Sequence, residues 1–302
     1  MTAALFDGYF ADPFVLRTDD GYVAYGTNPL ADPSERVFEA LESTDLREWR
    51  SRGEVLIRPD AELGSDFWAP EVVQRDGAFW MYYSVGHAIA GHHVRAACSQ
   101  SPFGPFVDAG VNLTPEELFA IDAHPFRDAD GEWYLFYARD VLTGERPGTA
   151  LAVDRMLSPT QLAGTPTDVL LPFADWQLYE AQRSIHGETY DWHTLEGPSV
   201  VHRDGRYWLT FSGGSWEGEG YGVSWATAPH PLGPWTPASP DQPRLLESND
   251  VLIGPGHNSL VVAPDGSDVI VFHSWNPSRT RRELHAATVR FDQDGPHRDA
   301  PW

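Results

Sequence analysis

Five times along this chain an Asp-Gly pair is followed by a run of aromatic and β-branched residues. Asp20-Gly21 precedes Tyr22-Val23-Ala24-Tyr25, and Asp76-Gly77 precedes Ala78-Phe79-Trp80-Met81-Tyr82-Tyr83. Asp130-Gly131 leads into Trp133-Tyr134-Leu135-Phe136-Tyr137, Asp204-Gly205 into Tyr207-Trp208-Leu209-Thr210-Phe211, and Asp265-Gly266 into Val269-Ile270-Val271-Phe272. Glycine after aspartate supplies the positive φ of a tight hairpin turn, and the run after it suits a strand. The turn glycines stand 56, 54, 74 and 61 residues apart, enough for four strands and their loops in each unit. A strand-built repeat of this length predicts an all-β chain folded as a five-bladed β-propeller. The 27 glycines and 25 prolines supply the turns, and no linker or break in composition divides residues 1–302, which read as one domain. The longest interval, Gly131 to Gly205, predicts an insertion of about 15–20 residues, placed near Phe173 to His193. Pro115–Phe119 and Trp176–Arg183 read as two short helices.

A fixed step back from each turn glycine brings unlike residues into one frame. Nine residues before the five glycines stand Asp12, Trp68, Asp122, Glu196 and His257. Equal offsets in equivalent blades predict equal depth, hence a ring of these side chains around the propeller axis. A purely structural layer would be small or apolar; this one holds three acids, a histidine and a tryptophan. Prolines follow four of the five, in Asp12-Pro13, Trp68-Ala69-Pro70, Asp122-Ala123-His124-Pro125 and Glu196-Gly197-Pro198. Proline holds the preceding residue extended and suits the entry to an innermost strand.

Converging carboxylates repel, so at least one is held protonated near neutrality beside another that is ionised. An acid beside a base is what cleavage of a glycosidic bond requires. If the two stand roughly 6.5–9.5 Å apart, a water fits between base and sugar and the anomeric configuration inverts. Asp12 and Glu196, from the first and fourth repeats, favour the wider spacing. Trp68 offers a face for sugar stacking, and Trp192, Trp216 and Tyr221 are candidates for a sugar-binding rim. The chain has no lysine, no phosphate-binding loop, no nucleophile elbow and no His-Glu-x-x-His.

The formal net charge is −23, and all 21 cations are arginine. Such an envelope repels phosphate backbones and anionic lipid, which argues against nucleic-acid or membrane partners. No stretch approaches the ~18 apolar residues of a membrane span. Cys98 stands alone, which rules out an internal disulfide or a cysteine-based metal cluster, and reads as a small buried strand residue. The start, Met1 to Gly8, lacks a basic segment and an apolar core of signal length, so the expectation is a cytoplasmic protein meeting short oligosaccharides.

The combination of Ala11-Asp12-Pro13-Phe14, Phe67-Trp68-Ala69-Pro70-Glu71-Val72, Ile121-Asp122 and Leu195-Glu196-Gly197-Pro198 resembles glycoside hydrolase family 43. Ser101-Pro102-Phe103-Gly104-Pro105-Phe106 and Pro231-Leu232-Gly233-Pro234-Trp235 resemble its blade-end segments, so the likeness runs from about residue 10 to about residue 292. It implies a five-bladed propeller and an inverting hydrolase of α-L-arabinofuranosides or β-D-xylosides. Asp12 would be the general base, Glu196 the general acid and Asp122 the modulator of the acid's pKa. Gly256-His257-Asn258 resembles the segment whose histidine lies at a central calcium ion or its waters. Arg282 resembles a last-blade arginine that reaches substrate hydroxyls, with Arg281 the second choice. An insertion overhanging the pocket, carrying Trp192 and His193, would close the groove and favour cleavage from chain ends. The rivals are a fructan-cleaving propeller, whose Arg-Asp-Pro and Glu-Cys segments are missing here, a phosphorylase, and a sugar-binding propeller without catalysis. Sequence leaves arabinose against xylose, linkage and oligomeric state open.

Overall fold

The aromatic runs after the turns form the second strands of five antiparallel hairpins. The computed structural model describes residues 4–29, 34–238, 240–241 and 245–302. One sheet contains β1 (Ala11–Thr18), β2 (Gly21–Thr27), β3 (Arg36–Ser43) and β4 (Arg50–Ile57) in that order. A second contains β5 (Asp66–Arg75), β6 (Ala78–His87), β7 (Ala90–Ser99) and β8 (Val107–Asn112). A third group has β9 (Ala120–Arg127), β10 (Trp133–Val141) and β11 (Gly148–Ser158), with β12 (Gln161–Leu162) and β13 (Thr167–Leu170) both paired to β11. The fourth has β14 (Leu178–Ile185), β15 (Glu188–Arg203), β16 (Arg206–Gly213), β17 (Gly222–Ala228) and β18 (Thr236–Pro237). A short parallel pairing of β11 with β15, Gly148 opposite His193 and Thr149 opposite Thr194, merges the third and fourth groups into one ten-stranded sheet. The last sheet contains β19 (Ile253–Val262), β20 (Asp268–Trp275), β21 (Arg282–Asp292) and β22 (Gly295–Pro301).

One strand of each group, the first except in the fourth, touches that of the next in a closed order, β1 to β5 to β9 to β15 to β19 and back to β1. Apolar side chains fill each junction. Tyr25, Phe38 and Leu56 of the first sheet pack on Phe67 and Tyr83 of the second. Tyr82 and Ala96 meet Leu135 and Ala152 at the next junction, and Phe136 and Leu151 meet Leu195 and Phe211 at the one after. Val223 packs with Ile270 and Phe272, while Val15 and Leu41 pack with Val269 and Leu284, so the last group is joined to the first. The backbone adds to this closure: the Leu5 and Phe10 N–H groups donate to the Leu284 and Arg282 carbonyls at 2.8 and 2.9 Å.

The five hairpins do not turn alike. Asp19-Asp20, Asp76-Gly77 and Asp204-Gly205 are two-residue loops, because Thr18 pairs with Gly21, Arg75 with Ala78 and Arg203 with Arg206. Residues 128–132 and 263–267 make longer loops, bounded by the pairs Arg127–Trp133 and Val262–Asp268. The turn glycine therefore sits at different places relative to its strand, and the nine-residue step slips by one in two units. The residues that share a register position are Ala11, Trp68, Ile121, Glu196 and Gly256, each just before a bulge. Asp12, Ala69, Asp122, Gly197 and His257 follow them as the bulged residues. The predicted ring is thus two adjacent layers rather than one: Asp12, Asp122 and His257 lie in the bulge layer, Trp68 and Glu196 one residue upstream.

No α-helix occurs among the described residues. Pro115–Phe119 is a turn. At the other predicted helix, the buried Gln177 side chain accepts from the Phe173 and Ala174 N–H groups and holds a single 3-10 turn, Asp175–Gln177, after which Leu178–Ile185 pairs with β15. The insertion near Phe173–His193 is therefore a hairpin. Cys98 lies on β7 between Trp80 and Val107 and is half-buried rather than buried.

Candidate active site

Each bulged residue has a left-handed backbone, with φ of 50° at Asp12, 48° at Ala69, 59° at Asp122, 55° at Gly197 and 45° at His257. Side chains other than glycine resist this conformation, so it persists where the surroundings hold it. They do so through the N–H of each bulged residue, which finds an acceptor on the preceding group. Ala69 N–H donates to Thr27 Oγ1 at 2.9 Å, Asp122 N–H to Ser84 Oγ at 3.0 Å, and Gly197 N–H to Asp122 Oδ2 at 3.0 Å. His257 N–H donates to Ser212 Oγ at 2.7 Å and Asp12 N–H to His273 Nδ1 at 3.1 Å. These bonds run from group to group and return to the start. The bulges turn Asp12, Asp122 and His257 inward, and at 197 glycine also suits a close approach: a Cβ there would crowd the His257 ring at 3.1 Å.

The three acids converge on one cavity of about 530 Å³, together with Tyr9, Trp68, Tyr179, Trp216, His257 and Arg282. Burial alone would raise the pKa of Asp12, but Arg282, whose Nη1 donates to Asp12 Oδ1 at 3.0 Å, overrides it. With His257 Nδ1 at 3.5 Å adding to the effect, Asp12 is held well below the usual carboxylate range. His273 accepts the Asp12 N–H on Nδ1 and lies wholly buried, which keeps its ring neutral. At Glu196 the Arg282 charge is the weakest of the influences. Burial, reinforced by the Asp12 charge, pushes its carboxyl up to about 7, against the Tyr221 Oη–H that donates to Oε1 at 2.6 Å. Asp122 is also raised, first by burial and then by the charges of Glu196 and Asp12, while the Gly197 N–H opposes the rise. One cavity therefore holds an ionised acid and a protonatable one, set apart by their neighbours.

Trp68 lines the cavity and is backed by His92, whose ring stacks on it at 3.6 Å and 14°. Arg282 is fixed by three contacts: its Nε donates to Tyr9 Oη at 2.9 Å, Asp12 accepts from Nη1, and its guanidinium lies 4.7 Å from the Trp216 ring centroid. Arg281 points elsewhere, paired with Asp7 at 3.0 Å and Glu283 at 2.8 Å. Trp216, half-buried at the mouth, stacks on Trp275. Trp192 and Tyr221 are not rim residues, since each is 1% exposed. Trp192 instead lines a side pocket of about 80 Å³ with Tyr179, Arg183, Ile185 and Glu196, so the β14–β15 hairpin walls one flank of the cavity. His193 lies at the edge of that hairpin, paired with Gly148 and Leu178.

Asp122, Glu196 and His257 each bring one ligand atom within 4.8 Å of the others. Calcium takes about six to eight oxygen ligands. This set offers two carboxylates, one already bonded to Gly197, and an imidazole nitrogen, with the Arg282 cation in the same cavity. These residues do not fit a calcium cage, and no step below passes through one.

Residues 2–296 match the profile described as Glycosyl hydrolases family 43. The chain belongs to that family. Among its relatives, a "Beta-D-galactofuranosidase xynD" of Aspergillus niger is 31% identical over 94% of this chain and 79% of its own length. An "Extracellular exo-alpha-(1->5)-L-arabinofuranosidase" of Streptomyces avermitilis is 28% identical over 88% of this chain, which spans only 54% of that protein. Among solved structures, a thermostable family-43 glycoside hydrolase superposes with a TM-score of 0.84 at 30% identity, covering 97% of this chain and 93% of that one. The extracellular relative overturns the expectation of a cytoplasmic protein. Part of that expectation rested on residues 1–3, which lie outside the described residues. No helix among the described residues is long and apolar enough to cross a membrane.

For this family-43 chain, reading the sequence alone missed Tyr9, Tyr179, Thr27, Ser212 and His273, and gave Tyr221 a different place. The hydroxyl-bearing and imidazole residues at the ends of β2, β6, β16 and β20 recur at one register position, and that recurrence was a usable signal. Tyr9 and Tyr221 lie in irregular segments with no repeat to align, so nothing marked Tyr9 and nothing placed Tyr221 against Glu196.

Proposed function

We propose that this chain is an inverting glycoside hydrolase that releases α-L-arabinofuranosyl or β-D-xylosyl residues from the ends of oligosaccharides, on a five-bladed propeller. The observation that carries the reading is the opposite protonation of Asp12 and Glu196 within one cavity. The closed order of β1, β5, β9, β15 and β19, the five apolar junctions and the five bulge bonds support the blade count. Both named relatives act on furanosides by their names, which supports the arabinofuranosyl reading.

Asp12, ionised, takes a proton from a water as the water oxygen bonds to the anomeric carbon. Glu196, protonated, gives its proton to the departing glycosidic oxygen as that carbon–oxygen bond breaks. Asp122, which accepts from the N–H of the residue after Glu196, orients that segment and modulates the acid through their mutual repulsion. Arg282 keeps Asp12 ionised and oriented, and Trp68 with its His92 backing presents a flat face to the sugar. The hairpin bearing Tyr179, Arg183 and Trp192 closes one flank, which supports attack at chain ends. A phosphorylase would need a free cation for phosphate, whereas the cavity arginine is committed to Asp12. A sugar-binding propeller without catalysis has no use for two acids held in opposite states.

Nitrophenyl α-L-arabinofuranoside and β-D-xyloside, each with and without chelator, test the substrate class. Hydrolysis of at least one, independent of phosphate and unchanged by chelator, is expected; turnover of neither ends the reading, and phosphate dependence transfers it to the phosphorylase. Proton NMR of the first-formed sugar should show the inverted anomer, because base and acid lie on separate blades. A retained anomer would rule out the water-mediated step.

A further inference from the structure

The bulge bonds follow a rule with one exception. In four groups the acceptor stands on the second strand, opposite the residue that precedes the bulge: Thr27 opposite Ala11, Ser84 opposite Trp68, Ser212 opposite Glu196 and His273 opposite Gly256. Each offers an oxygen or nitrogen to the bulged N–H of the next group. In the third group the residue at that register position, opposite Ile121, is Ala138, whose methyl group accepts nothing. A buried backbone N–H left without an acceptor is unfavourable. Here the Gly197 N–H takes its acceptor from Asp122 Oδ2 instead, at 3.0 Å.

We infer that Ala138 is a positioning residue: by withholding an acceptor from the Gly197 N–H, it makes the Asp122 carboxylate the fifth junction clamp and ties Asp122 to the segment that carries Glu196. The consequence for turnover rests on the proposed roles of Asp122 and Glu196; the clamp itself does not. Ala138 is fully buried beside Ile121 and Leu195, so its side chain acts only through what it packs against and what it fails to bond. A hydroxyl at 138 would restore the acceptor found at the other four junctions and release Asp122. Burial and the Glu196 charge, which raise the Asp122 pKa, would then act without the opposing Gly197 bond.

A thermal double-mutant cycle of wild type, Ala138→Ser, Asp122→Ala and the double variant tests this. Whatever Asp122→Ala does by itself, adding Ala138→Ser to it should raise Tm by about 2–4 °C, because the introduced hydroxyl recovers the orphaned Gly197 N–H. In the wild-type background the same substitution should not raise Tm, and it should lower kcat about tenfold or more with KM within about threefold, since Asp122 loses its hold. Equal Tm shifts in the two backgrounds would overturn the inference. Should Ala138→Ser fail to fold, hydrogen exchange decides. Asp122→Ala should speed exchange at Gly197 about tenfold or more relative to Ala69 and His257, whose acceptors Thr27 and Ser212 remain. Unchanged relative protection overturns it. Tm and exchange are read without turnover. Coupling without hydrolysis would therefore sink the proposed function alone, and hydrolysis without coupling would sink the clamp alone.

Discussion

Asp12→Asn should lower kcat by roughly 10³–10⁴-fold while the protein stays folded, the loss expected on removing a positioned general base. Asparagine tolerates the left-handed backbone at position 12, its N–H can still reach His273 Nδ1, and its Oδ1 can still accept from Arg282. What disappears is the charge. The amide cannot take a proton from water, and Arg282, buried against Tyr9 and Trp216, loses its counterion, a destabilisation of up to about 3–5 kcal/mol. Near-native turnover with a lowered Tm would show that Asp12 serves Arg282 rather than the reaction.

Glu196→Gln should abolish most turnover on glycosides with poor leaving groups, by about 10³-fold or more, and spare activated ones such as dinitrophenyl glycosides to within about tenfold, because those depart without a proton. Gln Oε1 still accepts from Tyr221 Oη, so the wall of the cavity persists. The pH profile separates this from a structural effect. Glu196 works protonated and its pKa is raised to about 7, so wild-type kcat/KM should fall as pH rises through about 7. In the variant that alkaline limb should vanish. The same shift fixes the sign for stability: a carboxyl whose folded pKa is raised stabilises the fold at low pH and loses that contribution as pH rises through about 7. Glu196→Gln should therefore melt no lower than wild type at pH 8. A uniform rate loss on all leaving groups, with the alkaline limb intact, would remove Glu196 from the acid's role.

Local chemistry made much of the architecture readable. Asp-Gly followed by aromatic residues specifies a hairpin within about ten residues, and five such hairpins in series mark a repeat without reference to any tertiary contact. What sequence could not fix was the register of the bulges, because those are set by side chains of the preceding group. The slip put Trp68 and Glu196 one position away from Asp12 and Asp122, although all four still face one cavity. The helix expected over Trp176–Arg183 failed for the same reason: local preference yielded to pairing of Leu178–Ile185 with β15. Trp192, an aromatic beside the candidate acid, reads equally well as rim or wall, and only packing under Arg183 decides for the wall. Protonation states lay furthest from view, since they depend on distant partners: Asp12 is bonded to Arg282, and Glu196 to Tyr221.

The left-handed backbone at positions 12, 122 and 257 has a bearing on engineering. Glycine would sit there with less strain, as it does at 197, and each non-glycine residue forgoes about 1 kcal/mol. That relief would not be realised at 12 or 122, where glycine would leave Arg282 without its counterion and the Gly197 N–H without its acceptor, losses larger than the strain removed. Libraries aimed at thermostability should hold these positions constant and look for gains at the outer strands.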